Sequence, residues 1–350
     1  GERILTTSKD RTARVWSRHG LLIQVLRGHA AAVSCGSIHP SGQQFVTVSW
    51  DHSARLWSES GTCTTVLSGH TDRINFGEFS PDGKLILTAS RDHTARLWDD
   101  QGKPLGVLRG HDKGVQGARF SSDGSRIVTF SSDHTARLWE RDGQPLCVLR
   151  GHDQGVQSGS FTSSSSDFDL ATTSWDGTTR VWSGSGSCSL ILRGHQGPLT
   201  QCALSPNGQL LLTAAQDNTV YLWHVNGQRY ADLTGHSDTI SCALFMPDGR
   251  GVLTLCRDGT ATLWSQSGAK HSTILPLQDL VVSGALSSCG RWLATASIDG
   301  SAMICGRDGR PRAVLKSPRR SSRCHCDRPP WCRSNVALGW CRSSRERAES

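Results

Sequence analysis

Apolar and polar residues alternate with a period of two through many short stretches of the chain. KLILTAS (84–90) and HTARLWD (93–99) are two of them. Both are rich in β-forming residues, and such alternation predicts half-buried strands rather than helices. Between the stretches stand SPDGK (80–84), SPNGQ (205–209) and MPDGR (246–250). Their Asp-Gly and Asn-Gly pairs tolerate the left-handed backbone of tight turns. The pattern predicts a unit of four short antiparallel strands. A lone sheet of this size, about 40 residues, cannot bury enough apolar surface to be stable. Neighbouring units must cover its faces, and closing the array radially leaves few free edges.

The unit recurs on a fixed beat. SWDHSARLWS (49–58), SRDHTARLWD (90–99) and SSDHTARLWE (131–140) are near copies, and further copies start at Ser8, Ser174, Ala215, Cys256 and Ser297. Their aspartates are Asp10, Asp51, Asp92, Asp133, Asp176, Asp217, Asp258 and Asp299, at steps of 41 residues with one of 43. Four residues before each Asp stands a threonine: Thr6, Thr47, Thr88, Thr129, Thr172, Thr213, Thr254 and Thr295. Six residues after it stands Trp16, Trp57, Trp98, Trp139, Trp182, Trp223 or Trp264, with Cys305 in the last unit. Thirteen residues after six of these tryptophans comes the His of a Gly-His pair: His29, His70, His111, His152, His195 and His236. A period of this length marks a repeat architecture.

This register of Gly-His, Asp and Trp resembles the WD40 repeat family over residues 1–316. The usual Trp-Asp dipeptide survives only as Trp98-Asp99. The resemblance implies an all-β propeller, eight-bladed with an incomplete first blade; seven blades plus a partial one is the alternative. It also implies that each unit's His, Thr, Asp and Trp form one buried hydrogen-bond chain. Trp only donates and Asp only accepts, while His and Thr do both. Each unpaired member of such a chain costs about 1–3 kcal/mol. Six sets are expected to be complete. The first unit has no His, and the last has Leu277 and Cys305 where His and Trp belong, so the last sheet is expected to be the softest.

Counting strands from Gly1, which falls at a turn position, gives 31, and eight blades need 32. The expectation is a chain cut from a longer parent. After residue 316 the repeat stops, and an Arg-, Ser- and Cys-rich tail (317–350) follows. Its composition predicts disorder. A sharper reading gives SNVALGW (334–340) the missing strand, and a third takes the abrupt change for a sequencing or splicing artefact.

Charge and chemistry refine this picture. The net charge is +8, but residues 316–350 hold nine basic and three acidic side chains and so carry +6 of it. The body is near neutral, so nucleic acid binding is expected only through the tail, if at all. No apolar run approaches the roughly 20 residues of a membrane helix. There are 13 cysteines. Nine are spread through the strands and read as small buried hydrophobes, among them Cys35, Cys202 and Cys242 at similar first-strand positions. That usage predicts a reducing, cytoplasmic setting. Tail Cys324, Cys326, Cys332 and Cys341 with His325 fit no paired zinc spacing. His52, His93 and His134 follow the hairpin Asp where other units have Gly or Asn, so they read as turn residues at positive φ. No metal, cofactor or catalytic motif is expected, and the chain is not expected to be an enzyme.

The residue before each hairpin Asp varies while its neighbours repeat: Lys9, Trp50, Arg91, Ser132, Trp175, Gln216, Arg257 and Ile298. In the family that resemblance names, this position faces one end of the ring and contacts partners. Trp and Arg are frequent anchors of binding energy. Lys9, Trp50, Arg91, Trp175, Gln216 and Arg257, with Arg73 and Lys113 nearby, are the expected partner-binding set. The expectation is a monomeric, non-catalytic scaffold, one module of a longer chain, for protein partners that include acidic or phosphorylated ones. A sensor domain of a signalling ATPase or kinase is the alternative. The two extra residues of the fifth unit, in TSSSSDFD (162–169), read as a polar insertion at the opposite end of the ring.

Overall fold

A computed structural model of the chain describes residues 3–161, 170–274, 280–287, 289–297, 299–306, 308–316 and 339–340. The polar insertion at 162–169, Leu277, Ile298 and the tail apart from Gly339–Trp340 lie outside the described residues. The described residues form 32 strands in eight four-stranded antiparallel sheets, and none of them is helical. Seven sheets use four consecutive strands. The second, for example, runs Val33–Ile38, Gln44–Ser49, Ala54–Ser58 and Cys63–Leu67. The first sheet combines Arg3–Thr7, Thr12–Ser17 and Leu22–Arg27 with Gly339–Trp340 from the far end of the chain. Trp340 stands opposite Ile4 and Gly339 opposite Leu5. The strand lacking from residues 1–316 is therefore supplied by the last two residues of the 334–340 segment.

The innermost strands touch in order around a circle. Val33–Ile38 meets Ile74–Phe79, and the sequence continues to Val281–Leu286, then Gly339–Trp340, and back to Val33–Ile38. The outermost strands form the rim, where Pro104–Leu108, for example, exposes its first residues and buries its last, Leu108. Register shifts after the first residue of inner strands, as between Ile74 and Phe76, and before each third-strand Trp, as between Leu97 and Trp98, are β-bulges. Bulges sharpen the right-handed twist that lets flat sheets pack side by side in a ring.

Among the described residues the core is eight clusters, one at each junction between sheets. Trp98 of the third sheet lies with Val46, Val48 and Leu67 of the second. The same arrangement places Trp139 against Leu97 and Leu108. The circle closes where Trp16 of the first sheet meets Ala294, Ala302 and Ile304 of the eighth. At the junction of the seventh and eighth sheets Cys305 takes the tryptophan's place among Leu253, Leu263 and Leu293. A small cleft lined by Met246, Leu253, Leu263 and Trp292 lies there. Trading a buried Trp for a small side chain costs about 3–5 kcal/mol. This is the physical ground for expecting the last sheet to be the softest.

Candidate functional site

The loops at one end of the ring are held by the repeated side-chain chain. In six units Trp Nε1–H donates to the Thr Oγ1 at 2.7–3.0 Å. The same oxygen lies 2.8–2.9 Å from the His Nε2. In five of them the His Nδ1 lies 2.7–3.1 Å from the hairpin Asp. An ionised Asp only accepts, so Nδ1 carries the proton, Nε2 accepts from Thr, and Thr accepts from Trp. A neutral imidazole completes the chain, and every donor points the same way. Thr47, Thr88, Thr129 and Thr172 are wholly buried, and Trp57, Trp98 and Trp182 nearly so. In the first unit, which has no His, Arg14 donates to Asp10 at 2.8 Å instead, and Trp16 still donates to Thr6 at 2.9 Å.

Each hairpin Asp also organises its own turn. Asp51 accepts from the Ser53 N–H and hydroxyl with one oxygen, and from the Ala30 N–H with the other. Burial pushes its pKa up, but the bonds from Ser53, Ala30 and His29 outweigh that and hold it at about 2. Asp92, Asp133 and Asp176 lie far below the usual carboxylate range through the same balance. Burial lowers the pKa of His29, His70 and His195 against the opposing pull of their aspartates. The residue after the Asp adopts positive φ: 69° at His52, 70° at His93 and His134, and 67° at Asn218. These three histidines are turn residues in separate sheets.

The sixth set departs from the expected completeness. His236 Nε2 reaches Thr254, but no hydrogen bond joins its Nδ1 to Asp258. Asp258 turns to the Ser237 hydroxyl, and the Ser237 N–H stands off at 3.4 Å, against 2.8–3.0 Å for the equivalent bond in the five complete sets. Beside them sits Cys256, so that ligand atoms of His236, Cys256 and Asp258 lie within 4.8 Å of one another. The sequence reading missed this group because it counted Cys256 among the hydrophobes. The signal was available: two residues before the hairpin Asp the units read Ser8, Ser49, Ser90, Ser131, Ser174, Ala215, Cys256 and Ser297. Cys35, Cys202 and Cys242 do sit buried on innermost strands.

The variable residues before the hairpin Asp occupy equivalent places. Their backbone N–H groups donate to the loop carbonyl that precedes the innermost strand: Trp50 to Ala32, Arg91 to Arg73, Ser132 to Gly114, Trp175 to Gly155, Gln216 to Pro198 and Arg257 to Thr239, at 2.9–3.2 Å. All six therefore stand at the same end of the ring, beside the start of the innermost strands. Lys9, Arg91, Gln216 and Arg257 are exposed, as is Lys113, while Arg73 is half-buried. Trp50 and Trp175 are half-buried. The Arg73 guanidinium lies 4.7 Å from the Trp50 ring centre, a cation–π contact. A Cβ on Gly155 would lie 3.5 Å from the Trp175 ring, so that ring rests on the neighbouring loop. Arg73 is thus drawn to Trp50 and, through the Arg91 N–H, to Arg91; Lys113 flanks Gly114, which abuts Arg91.

Comparison with protein families adds an independent finding. The family model "WD domain, G-beta repeat" matches residues 20–58, 61–99, 102–140, 143–183, 186–224 and 227–265. Each matched stretch begins with the outermost strand of one sheet and ends with the third strand of the next. The repeat therefore fastens each sheet to its neighbour. The first unit, without its His, and the last, without His and Trp, fall outside the matches. No curated protein matches the chain. With six family repeats covering more than half its length, and eight sheets arranged in a closed ring, the chain belongs to the WD40 repeat family.

Proposed function

We propose that the chain is a non-catalytic platform that binds protein partners on the hairpin end of its ring. Trp50 and Trp175 act as apolar anchors, and Arg73, Arg91, Lys113 and Arg257 supply positive charge, with Lys9 and Gln216 at the margin. The observation that carries this reading is the shared backbone anchoring of the residue before the hairpin Asp. The fold fixes where each of these side chains starts and leaves its identity free. A half-buried Trp with an Arg across its face combines apolar area with charge, the composition of binding hot spots. The basic cluster around Arg91 favours acidic or phosphorylated partners. The reading also places the chain in a reducing, cytoplasmic compartment, in keeping with nine free cysteines among the described residues.

The test is affinity capture with wild type beside a Trp50→Ala, Trp175→Ala double variant whose melting temperature is checked first. Hot-spot truncations cost about 2 kcal/mol or more each, so partners should fall by over tenfold. Treating the lysate with phosphatase reads the dependence on phosphate. An unchanged partner set from a folded double variant would remove the anchor assignment.

A further inference from the structure

We propose that His236 Nδ1, Cys256 Sγ and an Asp258 carboxylate oxygen form a zinc-binding site at the hairpin end of the seventh sheet. Three features single this unit out. It alone carries a thiol two residues before the hairpin Asp. His236 Nδ1 is the one ring nitrogen of the six chain histidines without a hydrogen bond among the described residues. And a ring nitrogen of His236, the Cys256 sulfur and an Asp258 carboxylate oxygen already lie within 4.8 Å of one another. Sulfur, imidazole nitrogen and carboxylate oxygen together suit Zn²⁺, which takes them at about 2.0–2.3 Å in tetrahedral geometry.

The surroundings prepare the imidazole for a metal. The Thr254 hydroxyl lies 3.4 Å from the Thr262 carbonyl oxygen. Thr88 of a complete set lies nearly as close to the Arg96 carbonyl oxygen, so what distinguishes this unit is the unbonded Nδ1. With the Thr254 proton on the carbonyl, Thr254 accepts from Trp264 Nε1–H and His236 Nε2–H, and the Nδ1 lone pair is open to a metal. A ligand histidine is commonly fixed in this way, its far nitrogen hydrogen-bonded to a neighbour. Asp258 stays oriented by Ser237 and by the Thr260 N–H and hydroxyl. The Cys256 thiol now donates to the Asp238 carbonyl oxygen at 3.1 Å, as Ser49, Ser90 and Ser174 do to the equivalent residues. On binding, the sulfur–zinc bond forms, the thiol proton passes to solvent, and a water fills the fourth position. In the five complete sets the Asp holds the His nitrogen itself, and the place of Cys256 is taken by a serine, a poor ligand for zinc, or by Ala215.

The experiment titrates full-length, chelator-stripped protein with Co²⁺, whose thiolate bond gives a charge-transfer absorption, and then displaces it with Zn²⁺. Wild type should show the absorption, and Zn²⁺ should abolish it. Cys256→Ser restores the residue that six other units carry, so its fold is preserved, and it should lose one equivalent of thiolate-bound Co²⁺. A Cys324→Ser, Cys326→Ser variant should keep that equivalent. Absence of the band in wild type overturns the site. So does a band unchanged in Cys256→Ser, or one lost only in the tail variant, which would place the metal there. Failure leaves the partner-binding reading untouched, because Cys256 is buried beneath the loop and is not among the proposed contact residues.

Discussion

Thr88→Val tests whether the repeated side-chain chain stabilises the ring, because the substitution changes one hydroxyl and almost no volume. Thr88 Oγ1 accepts from Trp98 Nε1 at 3.0 Å and lies 2.9 Å from His70 Nε2. Thr88 is wholly buried and His70 nearly so. Valine suits the strand backbone, so propensity contributes no penalty. What remains is two buried groups, the indole N–H and the imidazole nitrogen, with no partner. At about 1–3 kcal/mol for each stranded group, the cost is roughly 2–6 kcal/mol. Thr295→Val is the internal control. Thr295 is equally buried on its strand, but Leu277 and Cys305 stand where His and Trp would be. The same substitution there strands neither group, so its cost should stay below about 1 kcal/mol. Urea unfolding followed by tryptophan fluorescence and circular dichroism gives both numbers. Exchange protection of the Leu85–Ser90 and Trp292–Ser297 amides localises the loss. Equal costs at the two positions would show that the chain of hydrogen bonds adds nothing beyond strand packing.

Two further outcomes follow from the same geometry. His29, His70, His195 and His236 have native pKa values below the ordinary 6.5. Below pH 6.5 the unfolded chain binds more protons than the native one. Stability is therefore full above about pH 6.5 and falls as pH drops beneath it, by up to about 1.4 kcal/mol per pH unit for each histidine. The aspartates add a second loss, since the stability from their depressed pKa values is complete above about pH 4 and disappears toward the native range, about 2 for Asp51. Calorimetry from pH 8 to pH 3 checks both, and a melting temperature flat between pH 7.5 and 5 would contradict the first. Deleting residues 339–350 removes the strand opposite Ile4 and Leu5. Hydrogen exchange across Arg3–Thr7 should then accelerate by tenfold or more, at about 1 kcal/mol for each lost backbone bond, and unchanged exchange would show that the closing strand carries no load.

Much of this architecture was legible because it is periodic. A threonine, an aspartate and a tryptophan kept on one beat define three consecutive elements, and repetition averages out the ambiguity of any one short strand. The two-residue strand Gly339–Trp340 was harder to read, because no repeat marks it and its partner lies over 330 residues earlier. Its place in the sheet follows from ring closure, a property of the whole molecule. The turn position of Trp50 does not by itself say what covers its ring. The Arg73 side chain that covers one face comes from a different loop, and no local pattern encodes that meeting. The His236–Asp258 gap escaped for the converse reason. All four residues of the chain are present in that unit, and residue identity on a beat cannot report whether two atoms touch.

The repeated hydrogen-bond chain also explains where chemistry is free to appear. In the five complete sets every His nitrogen and both Asp oxygens are engaged. A group so engaged is a poor base, nucleophile or ligand, because each new role would first strand a buried partner. The residue just before the Asp is the opposite case. Its backbone is pinned to the adjoining loop and its side chain takes no part in the hydrogen-bond chain, so Trp, Arg, Ser and Gln occupy equivalent places. Recognition can diversify there sheet by sheet while the ring stays the same. Among the described residues the chain opens at His236, whose Nδ1 has no hydrogen bond, and the Cys256 thiol stands beside it.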